Sequence, residues 1–85
     1  MARVEIYTRA FCGYCSRAKR LLDGKGIAYE EIDVGMDARK KAQMIQRAKG
    51  RTTVPQIFID DRHVGGSDDL HALDSDGQLD SMLKA

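Results

Sequence analysis

The hydrophobic period of this chain switches repeatedly between that of a strand and that of a helix, and the order of the switches leaves few folds open. Residues 4–8 are rich in β-formers and predict a strand. Residues 13–25 set Ala18, Leu21 and Leu22 beside Arg17, Lys19, Arg20 and Lys25, the pattern of an amphipathic helix, and Gly24 and Gly26 end it. A second strand is predicted over residues 27–34. Asp37 can cap a second helix with Lys41, Ile45 and Ala48 on one face and Gly50 beyond its end. Residues 56–60 and 62–65 flank Asp60-Asp61 as the arms of a hairpin flank its turn. Ser67 is the expected cap of a third helix, with Asp68 and Asp69 in its first turn and Leu70 and Leu73 facing inward. Leu79, Met82 and Leu83 predict a short last helix.

The predicted order is β-α-β-α-β-β-α-α. Strands joined through helices are expected to run parallel with right-handed crossovers, and the hairpin antiparallel. An α/β fold satisfies this order, with a mixed four-stranded sheet and helices on both faces. At 85 residues the chain holds one core, so residues 1–85 are read as one domain without repeat or linker.

Composition removes other classes. Hydrophobic residues make up 42% and charged residues 32%, which excludes a disordered or low-complexity chain. No apolar run approaches the ~20 residues needed to cross a bilayer. A net charge of +1 gives no global attraction to nucleic acid or anionic lipid, so neither is expected as a partner. The charge is uneven: residues 1–50 carry 11 basic against 6 acidic side chains, and residues 51–85 carry 3 against 7. Oppositely charged solvated faces explain that asymmetry, and so does a ligand with anionic and ammonium ends. The first residues lack a secretory h-region and the two cysteines are too few for a stapled secreted mini-domain, so a cytoplasmic location is expected.

The chemistry concentrates in Phe11-Cys12-Gly13-Tyr14-Cys15, where the first strand hands over to the first helix. A helix start presents unpaired N–H groups and a partial positive charge, so Cys12 is predicted to carry a reactive thiolate, supported by Arg9 and Arg17. Cys15, one turn inside, is expected to be more buried and less ionised. Side chains three apart on a helix lie about 5–6 Å apart at Cβ, whereas a disulfide wants about 3.5–4.5 Å. The bond can form with small adjustment and should be easily reduced. A zinc site would need further ligands, and His63 and His71 miss the usual finger spacing. Redox chemistry is the reading the motif supports.

The chain resembles a small bacterial dithiol glutaredoxin over nearly its whole length. The likeness rests on Tyr7-Thr8-Arg9, Cys12-Gly13-Tyr14-Cys15, Thr52-Thr53-Val54-Pro55-Gln56-Ile57-Phe58-Ile59 and Gly65-Gly66-Ser67-Asp68-Asp69-Leu70. It implies a thioredoxin-like fold, a cis Pro55 opposite the redox motif, and glutathione-dependent reduction of protein disulfides and protein–glutathione mixed disulfides by a monomer. It implies Cys12 as nucleophile and Cys15 as resolving thiol. Glutathione would lie alongside Thr53, Val54 and Pro55, with one carboxylate at Arg9. The γ-glutamyl end would meet the N–H groups that follow Gly66, at Ser67 and Asp68, with its ammonium on the Asp68 carboxylate and Tyr14 as a wall. Disulfide-containing or glutathionylated proteins are the implied partners.

Gly13 departs from the family's usual proline. Relatives lacking that proline can hold a [2Fe-2S] cluster between two subunits through the first cysteine and glutathione, which would make Cys12 a ligand and the chain a cluster carrier or redox sensor; otherwise no metal is expected. Gln56 is a further possible polar contact. Tyr7, Phe11 and Phe58 are read as packing groups, the four methionines as core fillers, and Lys40 and Lys41 as a wet helix face.

Overall fold

A computed structural model describes residues 2–84. Its elements are β1 (Val4–Thr8), α1 (Gly13–Gly24), β2 (Glu30–Asp33), α2 (Ala38–Arg47), β3 (Gln56–Ile59), β4 (Arg62–Gly65), α3 (Ser67–Ser75) and α4 (Gln78–Lys84). The element order is the one the periodicity predicts. The second strand is shorter than expected, because residues 27–29 lie outside the ladder.

The strands stand in the order β2-β1-β3-β4, with β1 parallel to β2 and antiparallel to β3, and β3 antiparallel to β4. The expectation that helix-linked strands run parallel therefore holds for β1 and β2 and fails for β2 and β3. Residues 48–55 carry the chain from α2 past β1, so β3 enters on the far side of β1 in the opposite direction. Asp60 and Asp61 turn the hairpin with φ of 50° and 65°, a left-handed pair suited to a two-residue turn.

Alternation along β1 divides the core. Val4 and Ile6 face Ala18 and Leu22 of α1, Leu70 of α3, and Leu79 and Leu83 of α4, together with Ile57 and Ile59. Tyr7 faces the other way and packs with Val34, Met44, Ala48 and Phe58. The helix α2 buries Met44 rather than Lys41, which is exposed. Glu5, only 5% exposed, also lies on the α2 side, where Arg47 grips its carboxylate at 3.0 and 3.2 Å. The same guanidinium donates to the Tyr7 hydroxyl at 2.8 Å and lies 4.0 Å over the Phe58 ring. Arg47 holds the Glu5 carboxyl below its ordinary pKa, against the upward push of burial.

The caps explain where helices begin. Asp37 accepts from the Lys40 N–H at 3.0 Å, as expected. Ser67 does not cap α3. Gly66 is the cap residue, and the Asp69 carboxylate reaches back to its N–H at 2.9 Å. Met36 is fully exposed, so the methionines are not uniformly core fillers; Met1 lies outside the described residues.

Candidate active site

Cys12 is the N-cap of α1, extended at φ −108° and ψ 110°. Its sulfur accepts the Cys15 N–H at 3.2 Å, and its thiol points to the Val54 carbonyl oxygen at 3.9 Å. The helix start therefore offers a donor to Cys12, and the segment before Pro55 lies across from it. Both cysteines are free thiols. Cys15 is 2% exposed, and burial pushes its pKa up to about 11, reinforced by Cys12 and opposed by the Arg9 backbone N–H. The more accessible thiol is thus the half-buried outer one, and the inner one is kept protonated.

Beside Cys12 runs a groove of about 570 Å³. Arg9, Tyr14, Thr53, Val54, Pro55, Gly66, Ser67 and Asp68, the residues singled out from sequence, all line it. Three elements bring them together: the turn after β1, the loop before β3, and the start of α3. The Val54–Pro55 peptide is cis. Val34, Gly35, Lys41, Arg51, Thr52 and Asp69 complete the lining. Lys41, read from sequence as a wet helix face, is a groove residue, and its exposure in α2 gave no signal of this. Gln56 is fully buried and turned away. Its amide donates to the Thr53 carbonyl and hydroxyl at 2.9 and 3.3 Å, and its oxygen meets His63 Nε2 at 2.7 Å. Gln56 thus shapes the Thr53 loop instead of facing the groove.

The electrostatics divide the groove. Arg51 binds Asp69 at 3.1 Å and Arg17 approaches Asp68 at 3.8 Å, which leaves Arg9 and Lys41 without an ion-pair partner among the described residues. At the start of α3 Asp68 is exposed, and Asp69 is held below its ordinary carboxylate range by the Gly66 N–H and by Arg51. The Arg51–Asp69 pair ties the loop before β3 to the start of α3. Gly65 sits under this pair at φ +119°, where an added Cβ would collide with the Asp69 carboxylate. The Ser67 hydroxyl is buried in the wall of the groove with no hydrogen-bond partner.

Phe11 contradicts its reading as a packing group. Its backbone is left-handed at φ 58°, a conformation costing about 1–2 kcal/mol for a non-glycine residue, and its ring is fully exposed. Tyr7 and Phe58 are core residues, as expected, meeting edge-on at 5.7 Å. His63 stacks on Phe58, and His71 bonds the Ser67 carbonyl at 2.8 Å.

A family model described as Glutaredoxin matches residues 4–64, from the first strand through the hairpin. The chain belongs to the glutaredoxin family. It is 57% identical over 84 residues to Glutaredoxin 3 of Escherichia coli K12, covering 99% of this chain and all of that protein. The solution structure of glutaredoxin from Brucella melitensis is 54% identical, with a TM-score of 0.86, and the match covers 99% of this chain and 90% of that one. A crystal structure of a buckwheat glutaredoxin–glutathione complex superposes with a TM-score of 0.88 at 34% identity, covering 98% and 77%. The fold is accordingly thioredoxin-like, and membership of the glutaredoxin family makes this chain a thiol–disulfide oxidoreductase.

Proposed function

We propose that the chain is a glutathione-dependent oxidoreductase that reduces protein disulfides and protein–glutathione mixed disulfides, with Cys12 as nucleophile and Cys15 as resolving thiol. The observation that carries this reading is that Cys12 faces Val54 beside a groove lined by Arg9 and Lys41, cations unpaired among the described residues, and by the exposed carboxylate of Asp68. Glutathione is an extended peptide with a carboxylate at each end and an ammonium beside one of them. Its cysteine would pair along Val54 as an added strand does, leaving its sulfur at Cys12. Arg9 and Lys41 would take one carboxylate. The other would meet the N–H groups at the start of α3, with the ammonium on Asp68. Tyr14, about half exposed, closes one side.

In the cycle the Cys12 thiolate attacks the glutathione sulfur of a mixed disulfide. The S–S bond breaks, the client leaves as a thiolate and takes up a proton, and Cys12 is glutathionylated. A second glutathione thiolate attacks that sulfur, forming glutathione disulfide and restoring the Cys12 thiolate. With a protein disulfide, the Cys12 thiolate attacks one client sulfur instead; the client S–S bond breaks and its other sulfur leaves as a thiolate that takes up a proton. Cys15 then loses its proton, attacks Cys12 and expels the client thiol, leaving a Cys12–Cys15 disulfide for glutathione to reduce. A second thiol one helical turn behind Cys12 favours this catalytic role over holding a [2Fe-2S] cluster. A reducing, glutathione-rich cytosol would suit this cycle, and each of its steps needs only one copy of the chain.

Arg9→Ala and Asp68→Ala should each raise the KM for glutathione several-fold while changing little when 2-mercaptoethanol is the reductant. Equal losses with both thiols would contradict the assigned groove.

A further inference from the structure

Phe11 carries a strained backbone and a fully exposed ring, and nothing in the folded chain benefits from either. It is the residue immediately before Cys12, and it does not line the groove assigned above to glutathione. It borders a second groove of about 380 Å³, which opens on the other flank of Cys12 and includes Arg9, Ser16, Lys19, Glu31 and Asp33. Cys12 therefore lies between two exposed aromatic rings, Tyr14 on the larger groove and Phe11 on the smaller.

We propose that Phe11 is a specificity-determining residue that contacts the polypeptide flanking the reacting cysteine of a protein client. The inference rests on the proposed reduction of protein disulfides and mixed disulfides. Cys12 is half-buried, so a client sulfur reaches bonding distance only if the chain on either side of it descends onto the rim. On the flank away from the larger groove, the rim is the Phe11 ring. A client with an apolar side chain next to its cysteine covers that ring and loses water from both surfaces. The small mixed disulfide of glutathione and 2-mercaptoethanol has no chain on that flank and leaves Phe11 wet. The polar lining beyond Phe11 accommodates the client backbone, which keeps its hydrogen bonds there.

Phe11→Asn tests this cleanly, because asparagine tolerates a left-handed backbone and the ring makes no buried contact to lose. Covering about half of a phenyl ring is worth roughly a three- to tenfold gain in association. For the variant, kcat/KM for glutathionylated serum albumin should fall by about that factor. The small mixed disulfide should be reduced as by the wild type, with thermal stability unchanged or raised. Phe11→Leu should restore most of the protein-substrate activity. Equal effects on both substrates, or none on either, would overturn the role of Phe11 and leave the catalytic reading intact. If the wild type reduces neither substrate, the catalytic reading itself fails.

Discussion

Asp69→Ala removes a single carboxylate that links two walls of the groove. Its oxygen holds the Gly66 N–H at 2.9 Å and Arg51 Nη1 at 3.1 Å, and it lies in the first turn of α3. The capping bond is worth about 1 kcal/mol, and a half-exposed ion pair adds about 0.2–1 kcal/mol. The variant should therefore lose about 1–2 kcal/mol, or roughly 5–15 °C in Tm for a domain of this size. Freed from Asp69, Arg51 and the loop before Pro55 lose their tether to α3, so the KM for glutathione should rise more than kcat falls. The pH dependence has a defined sign. Gly66 and Arg51 depress the folded carboxyl below its ordinary value of 3.8, so its contribution is complete above that value and is lost as pH falls through the folded value. Melting followed by circular dichroism should show a constant gap between wild type and variant from about pH 8 to pH 5, narrowing below about pH 4. Asp69→Asn, which keeps a capping oxygen, should fall between them. An unchanged Tm at pH 7, or a gap that widens on acidification, would refute this account of the groove's architecture.

Arg47→Met should cost about 2–4 kcal/mol in urea unfolding, since it strands the buried Glu5 carboxylate beneath α2. In wild type Arg47 depresses the Glu5 pKa, so stability is lost as pH falls; in the variant only Arg3, at 3.6 Å, still opposes the upward push of burial, and that acid dependence should weaken. Brief iodoacetamide treatment at neutral pH should label Cys12 and spare Cys15, whose thiol is held protonated up to about pH 11 by burial; mass spectrometry of the reduced protein reads this directly.

What was legible in the sequence depended on local chemistry. The helix start at Cys12, the cap at Asp37, the Asp60-Asp61 turn and the β-formers of β1 carry short-range signals, and they fall where the structure puts them. The direction of β3 is set by how residues 48–55 pass the sheet, and no local pattern encodes that. The groove residues came from the family resemblance carried by the turn after β1, the loop before β3 and the start of α3, which the fold brings to one cleft. Lys41, Arg51 and Asp69 were missed because ordinary charged residues on exposed surfaces look alike until the elements meet. Ser67 looked like a cap and is a buried wall residue, because Asp69 supplies the capping oxygen from three positions beyond Gly66. Phe11 misled for the opposite reason: hydrophobicity predicts burial, and the turn into α1 directs the ring outward.

The most direct measurement compares Cys12→Ser and Cys15→Ser in glutathione-coupled reduction of a small glutathione mixed disulfide, alongside reduction of a protein disulfide. Cys12→Ser should abolish both reactions, whereas Cys15→Ser should keep substantial mixed-disulfide activity and lose the protein-disulfide route. Activity surviving without Cys12, or equal loss of mixed-disulfide reduction in both variants, would contradict the division of labour between the outer and inner thiols.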